Sequence, residues 1–151
     1  MKQPFGGILL NLAFRILVPF TLVYSVYILI LGESSPGGGF QAGVVMGFGI
    51  VLARLVMGED STLFNMRLRT SLIGAGVGTF IYTVTGWLTL AGGGKFLDYG
   101  FLPFFRNGPL HELHGLGILL IETGVTVCVM MTILNIMDAV VRRSEDDGSA
   151  E

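Results

Sequence analysis

Long apolar runs alternate with short polar stretches along the chain. The first run, Ile8–Leu31, is broken by charge only at Arg15. The second, Phe40–Met57, carries Arg54 near its end, and the third, within Thr70–Gly94, holds no charged residue. The fourth, Gly115–Met137, has Glu122 as its one acid. About 20 apolar residues at ~1.5 Å each cross the hydrocarbon of a bilayer. The pattern therefore predicts an all-α integral membrane protein with four transmembrane helices, over about 8–31, 40–57, 71–91 and 115–137. Residues 1–138 form one four-helix membrane domain in this reading. The acidic end, 139–151 with "SEDDGSAE", is expected to be a disordered tail. The first run is longer than the apolar part of a secretory leader and is read as a span rather than a cleaved signal.

Composition agrees with the pattern. The chain is 52% hydrophobic and 13% charged, against about 25% charge in soluble domains. Its net charge of −2 offers no basic field for nucleic acid. Cys128 is the only cysteine, so an intramolecular disulfide is excluded and a cysteine-rich metal site is not expected. Four crossings put Lys2, Arg15, Arg54, Arg67, Arg69, Arg142 and Arg143 on one side, and Lys95 and Arg106 on the other. Lys/Arg-rich flanks stay in the cytoplasm, which predicts a cell-membrane protein with both termini cytoplasmic. Arg15 and Arg54 would snorkel toward that side, or Arg15 would pair with another subunit.

Glycine, 23 of 151 residues, is about twice its usual ~7% share. In a membrane, small residues let helices approach closely. Gly43-x-x-x-Gly47 and Gly74-x-x-x-Gly78 carry that spacing and are read as packing faces. The densest cluster lies between the first two runs, in "GESSPGGGF". Pro36 fixes its own φ and disfavours helix at Ser35, and the three glycines after it tolerate turns that a Cβ forbids. A Gly-rich turn is expected there, with a helix starting near Phe40 whose first N–H groups lack helical partners.

The stretch Pro36-Gly37-Gly38-Gly39-Phe40, with "LLIETGV" at Leu119–Val125, resembles the B-type component of multisubunit Mrp/Mnh-type Na+/H+ antiporters. Related subunits occur in the membrane arms of energy-converting hydrogenase-type complexes. The resemblance extends over nearly the whole chain in number and order of spans. It implies an accessory membrane subunit, not an enzyme and without a cofactor of its own, that assembles larger antiporter-like subunits handling Na+ or H+. The equivalent subunit of a hydrogenase-like complex, or a small homo-oligomeric channel, are the alternatives.

Glu122 is the leading candidate for chemistry. It lies about eight residues, or ~12 Å, into the last span. A carboxyl at that depth must be protonated, paired or beside water, and intramembrane acids mark ion or proton routes. His111 and His114 precede it on the same predicted helix and titrate near neutral pH, so the three form a candidate proton line. Their spacing in "HELH" is not that of a zinc motif, and no metal is expected. Glu33, beside the glycine motif, is a candidate for the outer mouth of such a route, with a solvated loop acid as the alternative. The alternative for Glu122 is a structural acid bonded to hydroxyls such as Thr83, Thr85 or Thr126.

Overall fold

The computed structural model describes residues 7–32, 37–57, 68–103 and 110–148, with backbone alone for 57, 68, 110–113 and 144–148. Four long helices account for most of them: α1 (Ile8–Ile30), α2 (Gly39–Met57), α3 (Leu68–Ala91) and α4 (Leu110–Gly148). All four are long and apolar enough to cross a membrane, and there is no strand among the described residues. This is the four-span helical fold that the hydropathy pattern predicts. α4 has 39 residues, roughly 58 Å of helix, well beyond the ~30 Å hydrocarbon. Its last turns take in residues 139–148, for which the charged composition predicted disorder. Arg, Glu and Asp there do not oppose a helix already propagating from the span.

The helices stand in a row rather than around a central axis. α1 packs mainly on α2, α2 on α4, and α4 on α3, in the spatial order α1–α2–α4–α3. α4 thus lies between two neighbours, and α1 and α3 are edges. The seams are made by the small residues. A Cβ on Gly43 would stand 2.7 Å from the Thr126 carbonyl oxygen, and one on Gly47 would stand 3.3 Å from Ile133. On the other side of α4, a Cβ on Gly78 would be 2.6 Å from the Gly124 carbonyl oxygen. Each of the two GxxxG faces therefore forms one seam with α4, the close approach that such spacing permits.

Most buried positions hold small or hydroxyl-bearing side chains (Ala42, Ala53, Ser25, Ser71, Thr85, Thr89 and Thr126), with Val18, Ile50, Leu102 and Leu134 the larger ones. Large apolar side chains face outward, with Phe20, Phe80 and Trp87 about two-thirds exposed. That inversion suits a chain whose solvent is lipid or another membrane helix. The buried hydroxyls are bonded. Ser71 bonds the Asn135 amide oxygen at 2.5 Å, tying α3 to α4.

Arg54 departs from expectation. The sequence placed it as a snorkelling cation. Instead, Arg54 Nη1 donates to Asp138 Oδ1 at 2.6 Å, joining the end of α2 to α4, with each side chain only 19% exposed. A long guanidinium at a seam reaches a carboxylate on the neighbouring helix as readily as it reaches water.

The loop after α3 is folded onto the protein. α3 ends in a Schellman-type cap: Gly93 has φ 92°, and the N–H groups of Gly93 and Gly94 bond the carbonyls of Leu90 and Thr89. The Thr89 hydroxyl accepts from the Leu97 N–H at 3.0 Å. A 3-10 turn at Tyr99–Phe101 follows, and Leu102 is buried.

Candidate functional site at the α1–α2 break

The break between α1 and α2 is crossed by α4 at Glu122. Three glycines, one before the break and two after it, make room for this residue. A Cβ on Gly39 would be 2.7 Å from the Glu122 Cα and would collide with its carbonyl oxygen. A Cβ on Gly38 would be 2.9 Å from Oε1; one on Gly32 would be 2.7 Å from Oε1 and would collide with Oε2. The carboxylate therefore rests between the last turn of α1 and the first turn of α2. The first N–H groups of α2, with their partial positive charge, are turned toward this break. The α1 carbonyl end contributes the opposite partial charge from the other side.

Thr126, one turn further along α4, locks the crossing. Its buried hydroxyl lies 2.9 Å from the Gly39 carbonyl oxygen and 2.7 Å from that of Glu122, and its single proton serves both. Glu122 is half-buried and lines an open cleft of about 430 Å³ with Gly38, Gly39, Phe40, Gln41 and Val125. A carboxylate, a primary amide and glycine backbone in one cleft can exchange protons or coordinate a monovalent cation through oxygen.

The other predicted site residues divide. Gly37 precedes α2, which begins at Gly39 and Phe40. Glu33 and Pro36 lie outside the described residues. His111 is in the first turn of α4, and its side chain also lies outside them. His114 is exposed and meets the ring of Tyr99 edge-on at 6.3 Å between centroids. Eight residues separate His114 from Glu122, which places them about 80° apart around the helix. Thr83 and Thr85 bond to carbonyls of their own helix; of the three candidate hydroxyls, Thr126 alone bonds the backbone of Glu122.

Tyr99 is the residue whose place the sequence did not reveal. Its ring lies on Gly117, where a Cβ would be 2.5 Å away. Burial pushes the Tyr99 phenol above its ordinary value, and the charges of Tyr82 and Glu122 push the same way. Only its position opposite a glycine of the facing helix could have signalled it, and that pairing requires the fold.

These features define a class: a multi-pass helical membrane protein with an acid of its last span seated in a glycine-built break between two other spans. The domain described as related to the MnhB subunit of Na+/H+ antiporter matches residues 9–135, and the chain belongs to that family. Among its relatives, the B-type component of the Na(+)/H(+) antiporter of Bacillus subtilis (strain 168) is 28% identical over 139 residues, covering 87% of this chain and 96% of that one. The putative antiporter subunit mnhB2 of Staphylococcus haemolyticus (strain JCSC1435) is 27% identical, covering 88% and 96%. A third, the probable K(+)/H(+) antiporter component of Rhizobium meliloti (strain 1021) named as A/B, is 28% identical over 79% of this chain but only 12% of its own length.

Proposed function

We propose that this chain is an accessory membrane subunit of a multisubunit monovalent cation/proton antiporter, and that Glu122 is part of the ion or proton path. Family membership over residues 9–135 supports the first statement. The names of relatives include both Na+/H+ and K+/H+ antiporters, so the ion class carried over is the monovalent cation. The Rhizobium relative, a longer chain whose name joins A and B, favours a place beside a larger antiporter-like protein. Both termini face the cytoplasm in this reading, the side to which the charge count assigns seven of nine Lys and Arg residues.

One observation carries the role of Glu122: its carboxyl is seated against Gly32 and Gly38 beside an open cleft. His114, with Tyr99 against it, is the candidate entry on the α3–α4 loop side. The test is cation-driven dissipation of a pH gradient in vesicles carrying the whole complex. Glu122→Gln, which keeps shape and removes the charge, is expected to cut exchange about tenfold or more while the complex stays assembled. Full exchange with unchanged pH dependence would remove Glu122 from the path.

A further inference from the structure

α1 is an edge helix with its outer arc uncovered. Ile8, Leu12, Ile16, Phe20 and Val23 are between 57% and 83% exposed. On this arc Arg15 is also exposed. It lies seven residues, roughly 10 Å, into the helix, and makes no ion pair among the described residues. Four residues on is Pro19, inside the same helix. Proline has no N–H, so the Arg15 carbonyl lacks its usual i+4 donor. Arg15 thus offers a guanidinium with five donors and a backbone acceptor at one level of a membrane span.

We propose that this face of α1 docks a transmembrane helix of another subunit, one that carries an Asp or Glu at the level of Arg15 and a hydrogen-bond donor beside it. Two arguments favour a protein helix over lipid. A lipid phosphate accepts from the guanidinium after snorkelling but cannot donate to the carbonyl left within the hydrocarbon. Neighbouring helices are among the groups that satisfy the carbonyl freed by a membrane proline. Charge complementarity then sets the partner's chemistry, since a guanidinium below the headgroups is favoured by a carboxylate in bidentate contact. The surface is separate from the Glu122 cleft, and the inference rests on the multisubunit reading but not on any role of Glu122.

The experiment places a photoactivatable benzophenone amino acid at Leu12 or Ile16 in the full complex, in native membranes. Co-purification of the unsubstituted chain with other membrane subunits tests the multisubunit reading; the adduct tests the face. The expected adduct is a transmembrane peptide of a different subunit containing Asp or Glu, and Arg15→Leu lowers its yield about tenfold or more. Arg15→Lys keeps the charge without the bidentate fork and gives an intermediate yield. Adducts to lipid alone, or to a second copy of this chain, overturn the proposal, as does a yield unchanged by Arg15→Leu. Should the Arg15→Leu chain be lost from the membrane, the identity of the adduct in the chain with Arg15 intact decides.

Discussion

Helix α4 brings a carboxylate to each end of α2, and the two are held by opposite means. At the end of α2, Asp138 is bound by the Arg54 guanidinium at 2.6 Å. At its start, Glu122 lies against Gly32, Gly38 and Gly39 and borders a cleft. The two acids are 16 residues, about 24 Å, apart along one helix. The guanidinium in direct contact makes Asp138 a clamp between α2 and α4. Gly32 and Gly38 instead make room for the Glu122 carboxylate, which borders a cleft. The chain thus has one end clamped by an ion pair and one that, in the proposed function, exchanges ions or protons.

The largest expected effect comes from filling that space. Gly39→Val places side-chain atoms where the Glu122 backbone lies. Backbone cannot yield as a side-chain tip can, so the α2–α4 seam must part, at a cost of about 3 kcal/mol or more. Loss of the protein from the complex on a native gel is the expected readout. Normal assembly would mean that the crossing is looser than described.

Removing the clamp ranks second. Arg54→Leu strands Asp138 at a half-buried seam and is expected to cost about 2 kcal/mol, below the figure for a fully buried pair because both groups retain some exposure. Denaturation of the detergent-solubilised complex measures it. The double substitution Arg54→Leu with Asp138→Leu is expected to recover most of the loss, since no charge is then left unpaired. A double variant as weak as the single one would show that the pair does more than hold the helices.

Tyr99→Phe is the smallest change, about 0.5 kcal/mol or less in stability at neutral pH. Burial, with Tyr82 and Glu122, holds the folded phenol above the usual value of 10.0. The neutral phenol is the form the fold favours. Its contribution is complete below the unfolded pKa and disappears as pH rises through the higher folded one. Phenolate absorbance in strong base should therefore lose its late-rising component in Tyr99→Phe. Loss of a component near the ordinary phenol value instead would place Tyr99 in water.

The spans were legible because hydropathy acts residue by residue along the chain. The seams were legible too, since the i, i+4 glycines of α2 and α3 mark which face approaches a neighbour. Which neighbour that is was not written locally. Gly43 and Gly78 both meet α4, from opposite sides, and no sequence spacing distinguishes a row from a closed bundle. Glu122 stood out as an acid in an apolar run, but its meeting with Gly32 and Gly38 joins positions more than eighty residues apart. Arg54 and Asp138 each looked ordinary at a span end, and only helix packing makes them partners. The helix through 139–148 was missed because charge density argues for a solvated coil, whereas a helix entering from the membrane has already passed its nucleation step.

The most direct measurement is exchange per assembled complex, taken side by side for Glu122→Gln and Asp138→Asn. Vesicles are normalised to the amount of intact complex, and dissipation of the pH gradient by Na+ is followed. The account predicts that Asp138→Asn reduces the amount of complex but leaves exchange per complex near normal, while Glu122→Gln leaves the amount normal and exchange per complex lower by about tenfold or more. Equal exchange per complex in Glu122→Gln and in the unsubstituted protein would contradict it.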